Sequence, residues 1–543
     1  MRKYRAVSAA TFAIFVCALV GGIFGRGVFA TENHLPGDYK TFTAALSAIQ
    51  SQYVGQFQSD RLVYGAIQGM LETLDPHSNF MDPQEYAQMR ERQEGHYYGI
   101  GVTIQAAGGE IHIVSVFDGS PAFDAGIRRG DVIATVDGQS TKGWTSDQAV
   151  DRIKGAKGTS VALGIRRWGY DQLIPFSVAR EEIHLSSVPA AFMIDGTTGY
   201  VRIAEFAEDT NAQLGRALDA LQAKGMRRLI FDLRNNPGGA LDQAILVANR
   251  FLPKGDLIVY TRGRVPNSDE DYRATKPSQF TTMPMIVLVN RNSASASEIV
   301  TGALQDHDRA LIVGETTFGK ALVQSVYRIS GGAGLALTTA HYYTPSGRLI
   351  QRPWDPSFDN YLTYTLRSQK NPPKNNPAEL HHTDAGRPVY GGGGIEPDRR
   401  MDGPFEGFDP TPFGRMLYSR QEFASFAERF SALGDRRVTL KSTGRTLVGR
   451  TYVVDDAMLK QFRTQLQRDG IKINEAEYTK DLPFIKAMIH YQIDLALFGT
   501  QDAREQLIKT DPQAQFALGL FGEAEQLTQL SKAKAAGRAG NRP

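Results

Sequence analysis

The chain has 543 residues, 41% hydrophobic and 22% charged, and its 61 basic and 58 acidic side chains leave a net charge of +3. That length exceeds one ordinary domain, and about two to four are expected. The composition supports a globular core, and nothing in so balanced a charge argues for nucleic acid, so none is expected as a partner.

Arg2, Lys3 and Arg5 precede an almost unbroken apolar run from Ala6 to Phe24, about the length that crosses a bilayer. Residues 1–30 read as an export signal. The run is long for a cleaved signal core, so an uncleaved anchor is favoured over cleavage after Val28, Phe29 and Ala30. Such a segment places the protein in the cell envelope, on the periplasmic or extracytoplasmic side of the inner membrane, with the membrane as a partner. The single cysteine, Cys17, lies inside the run, so the exported part has neither a disulfide nor a zinc-type cysteine cluster.

Residues 31–94 have a helical pattern: Phe42, Leu46, Ile49 and Tyr53, then Leu62, Ile67, Met70 and Leu71, recur at threes and fours and predict a packing layer. The stretch LETLDPHSNFM, Leu71 to Met81, brings Asp75 and His77 together, a pair that invites a metal or triad reading. Residues 95–182 change character. Short strands are predicted at Gly101–Gln105, Ile111–Phe117, Val132–Val136 and Ser160–Arg166, with a helix over Thr145–Lys154. YYGIGV, SPAFDAGIRRGDVIATVDG and that helix resemble a PDZ domain, which binds an extended peptide as an added strand and holds its terminal carboxylate on loop amides. Here the loop is Tyr98, Gly99, Ile100 and Gly101, whose GIG alternation leaves the amides uncovered by bulky side chains.

Residues 183–400 alternate strands and helices, which predicts an α/β layered body. Strand-like Tyr200–Phe206, the helix Asn211–Lys224 and the strand Leu229–Leu233 lead into RNNPGGALDQAILVANRFL. There the turn Asn236, Pro237, Gly238, Gly239 opens onto a helix over Leu241–Phe251 and points its amides forward. In PMIVLVNRNSASASEIVTGALQDHDRALIVGETTFGKALVQ, Pro284 to Gln324, a strand at Met285–Val289 meets a serine-rich turn and a helix from Glu298 to Gln305, followed by a strand at Ala310–Val313. A hydroxyl at such a helix N-terminus faces free N–H groups that stabilise developing negative charge. Ser295 or a neighbour is therefore a candidate nucleophile. Lys320 and Gln324, four apart, share a face in either periodicity; a desolvated lysine loses charge and serves as general base, with an amide to orient it. The bland alternative makes Ser293, Ser295 and Ser297 helix caps and Lys320 a solvated charge. Asp306, His307 and Asp308 offer a Ser/His/Asp alternative, although they read as a polar helix end.

SASASEIVTGALQD followed by VGETTFGKALVQ resembles the signature of the C-terminal processing peptidases, or tail-specific proteases. The resemblance implies Ser295 as nucleophile, Lys320 as general base and Gln324 as its orienting partner. It further implies an oxyanion hole from Gly238 or Gly239 with the Ala296 amide, and a structural role for the LDPHS segment. YYTPSGRLIQ, Tyr342 to Gln351, and GGGGIEPD, Gly391 to Asp398, resemble segments that finish such a protease core, with the polar Arg352–Tyr390 interval as a surface insertion. Residues 401–543 read as a helical accessory region, including Ala457–Arg468 and Leu482–Phe498, with a disordered tail from Leu530 to Pro543. The expected fold is thus α/β multidomain: an N-terminal membrane segment and helices, a PDZ β-domain, an α/β serine protease core and a C-terminal helical accessory region. The expected function is an exported serine endopeptidase with a Ser/Lys dyad and no metal or organic cofactor, acting on protein or peptide substrates with exposed C-termini. A non-enzymatic PDZ scaffold or holdase at the membrane is the alternative, and a homodimer or an adaptor protein is left open.

Overall fold

The computed structural model describes residues 35–265, 268–354, 358–367, 376–432 and 448–540. The predicted membrane segment with Cys17 lies outside them. Among the described residues no helix is long and apolar enough to cross a membrane. The chain divides into two compact units, one ending at Leu74 and one beginning at Asp75. The first contains the helices Leu35–Gln52 and Ser59–Glu72. Of the residues predicted to pack, Leu71 is buried, Leu46, Leu62 and Ile67 are half-buried, and Phe42, Ile49, Tyr53 and Met70 are exposed. Two helices offer each other too little surface to cover an apolar stripe.

At the centre of the second unit is a six-stranded sheet in the order Ala190–Met193, Thr198–Arg202, Arg228–Asp232, Met285–Val289, Leu311–Gly314, Arg399–Arg400. After an antiparallel first pair, all neighbours run parallel. Met285–Val289 is buried at every position, so it reads in sequence as an unbroken apolar run rather than an alternation. Met285, Val287 and Val289 face one core, with Leu214 and Leu218 of the helix Thr210–Ala223, Val247 of Leu241–Asn249, and Val300 and Ala303 of Ala296–Asp306. Ile286 and Leu288 face a second core. It is closed by Ala514, Ala517, Phe521 and Ala524, from the helices Pro512–Leu518 and Phe521–Gly540.

That second core revises the reading of residues 401–543. The final helices are the other covering layer of the central sheet, and the stretch expected to be a disordered tail continues as helix to Gly540. A buried ion network fixes the join. Arg234 lies 2.7 Å from both Asp232 and Asp511, and Tyr200 donates to Asp232 at 2.6 Å. Burial works to raise the Asp232 carboxyl, but Arg234 and Arg202 outweigh it and hold it far below the carboxylate range. A separate helical core includes Leu417, Phe423, Phe462 and Phe484, from helices within 412–432 and 456–497.

A second, antiparallel sheet runs Asn79–Met81, Gly334–Tyr343, Leu257–Gly263, Glu270–Arg273, with Leu322–Arg328 also paired to Gly334–Tyr343. It brings the segment after Asp75 beside the strand that carries Gln324. The PDZ sheet is ordered Val102–Ala107, Glu110–Val116, Val132–Val136, Ser160–Arg166, Ile174–Ala179, which leaves Val102–Ala107 as an edge strand. The chain enters and leaves this domain through one antiparallel ribbon, His96–Gly99 against Glu181–His184.

Candidate active site

Two loops at the carboxyl ends of adjacent parallel strands lean on one another, the position where open α/β sheets place their sites. The Ala294 amide donates to the Asn236 carbonyl at 3.0 Å, the Ser297 hydroxyl to the same carbonyl at 3.0 Å, and the Ser293 hydroxyl to the Leu233 carbonyl at 2.8 Å. Ser293 and Ser297 are fully buried and thus spent on scaffolding, whereas Ser295 between them is half-buried. Ser295 has φ 54 and ψ −115, a left-handed conformation that costs a non-glycine residue about 1–3 kcal/mol. Only a tightly held loop keeps such a residue in place.

Glu298 holds it. Its carboxylate is fully buried, with one oxygen accepting from the Ser295 and Lys320 amides, each at 2.9 Å. The other accepts from the Gly319 amide at 2.7 Å and from the Thr317 hydroxyl. Burial pushes the Glu298 carboxyl up and these donors pull against it. Amides that can only donate face both oxygens, so the arrangement is built for the carboxylate. Tyr342, also buried, adds a second clamp, its hydroxyl 2.7 Å from the Lys320 carbonyl and 3.2 Å from that of Ser295. Glu298 and Tyr342 were assigned no role from the sequence. The Ser295-x-x-Glu298 spacing, the capping-box pattern, was the available signal for the first.

Lys320 is half-buried, and its Nζ donates to Gln324 Oε1 at 2.8 Å. Burial lowers the pKa of its amine from the usual lysine value, while the charges of Asp75 and Glu298 act in the other direction. Among the described residues no hydrogen bond joins Lys320 Nζ to Ser295 Oγ. The Gln324 Nε2 donates to the His77 carbonyl at 2.6 Å. His77 in turn meets Tyr361, which lies inside the interval expected to be a surface insertion yet is 1% exposed and edge-on to Phe318. Aromatic packing against the loop that carries Lys320 draws this part of the interval inward.

The two glycines of the PGG turn differ. A Cβ on buried Gly238, φ 103, would lie 2.7 Å from Ser295 Cβ and 2.9 Å from the Ala296 nitrogen, so only glycine fits against the serine. Its amide donates to Asn236 Oδ1 at 2.9 Å. Gly239 is exposed, and Ala296 opens the helix, where amides lack intrahelical acceptors. The Asp306, His307, Asp308 cluster points away from this site. His307 Nδ1 faces Asp384 at 3.0 Å and Nε2 faces the Leu257 carbonyl at 2.7 Å; Asp306 pairs with Arg348, and Asp308 with Arg387. With both ring nitrogens occupied, His307 is not the base of a triad.

In the PDZ loop, Tyr98 is exposed, Ile100 belongs to the domain core, and Gly101 has φ 83, with a Cβ there falling 2.2 Å from Ser120 Cβ. The Tyr97 ring lies against Gly99. Burial pushes the Tyr97 hydroxyl up, opposed by hydrogen bonds from the Val102 and Gly101 amides.

A strained serine at a strand–helix turn above a mixed α/β sheet, in a chain that also carries a PDZ domain, defines a multidomain serine peptidase. Comparison with known proteins agrees. Residues 197–357 match the peptidase family S41, residues 88–166 the PDZ domain, and residues 29–85 the activating protease CtpB N-terminal domain. A carboxy-terminal-processing protease of Bartonella bacilliformis is 40% identical over 328 residues, covering 59% of this chain and 75% of that protein. The carboxy-terminal processing protease CtpA of Bacillus subtilis is 36% identical over 344 residues, covering 63% and 73%. The solved structure of a photosystem II D1 C-terminal processing protease is 28% identical with a TM-score of 0.36, covering 67% of this chain and 86% of that one. The chain belongs to the carboxy-terminal processing proteases of peptidase family S41 and is a serine-type peptidase.

Proposed function

We propose that peptide cleavage runs on a Ser295/Lys320 dyad. The observation that carries this reading is the single Glu298 oxygen that binds the Ser295 and Lys320 amides, with the Lys320 amine turned to Gln324. A neutral Lys320 takes the Ser295 proton as Oγ attacks the scissile carbonyl, and returns it to the leaving amine. The oxyanion is received by the Gly239 and Ala296 amides, since that of Gly238 is bound to Asn236. Water then attacks the acyl-enzyme as the same lysine takes its proton, and the acyl–Oγ bond breaks with that proton returned to Ser295 Oγ, which releases the carboxyl product. The test is turnover of an apolar-tailed fluorogenic peptide. Ser295→Ala and Lys320→Ala should both lose it, with circular dichroism unchanged; wild-type rates in Lys320→Ala would overturn the dyad.

Substrate selection by a C-terminal tail is supported by the edge strand Val102–Ala107, open to strand addition beside the glycine loop. Export with anchoring at the inner membrane rests on the basic and apolar residues at 1–30. Retention of the full-length protein in the membrane fraction after a carbonate wash is expected, and recovery in the soluble fraction with Thr31 at the N-terminus would refute the anchor.

A further inference from the structure

The LDPHS segment is structural by resemblance, but the fold brings it to the base. Asp75 Oδ1 accepts from the His77 and Ser78 amides, each at 2.8 Å, and Oδ2 accepts from the Ser78 hydroxyl at 2.7 Å. That hydroxyl accepts in turn from the Thr338 amide at 3.1 Å, which ties the turn to the strand Gly334–Tyr343. The His77 ring is held from its other side by the Tyr361 hydroxyl. So fixed, the turn presents the His77 carbonyl to Gln324.

The chemistry of the two neighbours fixes how Gln324 sits. A carbonyl only accepts, so the Gln324 nitrogen must face His77; the oxygen is then left for a donor, and Lys320 Nζ supplies it. A flipped amide would set its oxygen against the His77 carbonyl oxygen and would occupy the lone pair of neutral Lys320 with its own N–H. With one N–H committed to Gln324, the lone pair of neutral Lys320 is directed elsewhere, to the side that must receive a proton.

We propose that Asp75 and the turn it closes are the positioning element of the lysine base, acting through the His77 carbonyl and the Gln324 amide. This rests on the reading of Lys320 as base. Asp75 has a second effect on the same group, because its negative charge lies close enough to Lys320 to favour the protonated amine. The two effects separate by substitution. Asp75→Asn keeps an oxygen for the His77 and Ser78 amides, removes the charge and turns an NH2 toward the Ser78 hydroxyl, whereas Asp75→Ala removes every acceptor.

The experiment is the pH dependence of kcat and kcat/KM for the full chain on an apolar-tailed fluorogenic peptide. Asp75→Ala should lower kcat about tenfold or more with KM within about twofold, since the base is misplaced and the tail site untouched. Asp75→Asn should lose less kcat at high pH than Asp75→Ala does, and should move the acid limb to lower pH. A residue that merely held the fold together would leave that limb in place. Wild-type kcat in Asp75→Ala overturns the proposal, as does an Asp75→Asn profile with an unmoved limb. Failure of the underlying dyad is a separate result, turnover by Lys320→Ala; the positioning proposal fails with Lys320 essential and the Asp75 variants at wild-type behaviour.

Discussion

Strain at Ser295 can be measured by removing the hydroxyl in two ways. Ser295→Ala and Ser295→Gly both lack Oγ and both should be inactive, but they differ in what φ 54 and ψ −115 cost them. Alanine keeps the penalty of about 1–3 kcal/mol for a side chain in that region. Glycine escapes it and loses about 0.5–1 kcal/mol through the greater freedom of its unfolded chain. Ser295→Gly should therefore be more stable than Ser295→Ala by about 0.5–2 kcal/mol. Thermal unfolding of the two proteins side by side reads this out; for a transition of 150–250 residues, about 1 kcal/mol corresponds to roughly 2–4 °C. A Ser295→Gly protein that melts at or below Ser295→Ala would show that the loop is not held under strain.

Four further outcomes follow from the site. Activity should rise with pH through the titration of Lys320, because burial lowers its pKa from the ordinary lysine value and only the neutral amine accepts a proton; it is lost as pH falls. Lys320→Arg should fail as Lys320→Ala does, by about 10²–10⁴ in kcat, since guanidinium is not deprotonated. Glu298→Gln must turn an NH2 toward amides that can only donate, and should lower stability by about 2–4 kcal/mol in denaturant unfolding, together with kcat. Gly238→Ala places a Cβ 2.7 Å from Ser295 Cβ and 2.8 Å from the Ala294 carbonyl, neither of which can swing aside, and should cost about 1–3 kcal/mol and most of kcat with KM little changed.

The strand Met285–Val289, the serine turn, the helix after it and the Lys320/Gln324 pair could be read from the sequence because each is specified within a few residues. A doubly buried strand must be apolar throughout, a helix needs its period, and a side chain four residues along one strand or helix returns to the same face. The turn Asn236–Gly239 was legible as a strand–helix connection, but that Gly238 packs against Ser295 was not. What the sequence could not give was contact across long separations. Asp75 and His77 lie more than two hundred positions from Gln324, and the pairing of Asn79–Met81 with Gly334–Tyr343 decides that they meet it. The burial of Tyr361 within a polar interval likewise depends on which surfaces are at hand. The final helices show the limit most plainly: their small apolar face, Ala514, Ala517, Phe521 and Ala524, has ordinary local spacing and becomes the second cover of the central sheet only because the tertiary fold brings Ile286 and Leu288 to it. Periodicity says that a face will be buried; the partner that buries it is chosen by the competition among all the faces of the chain.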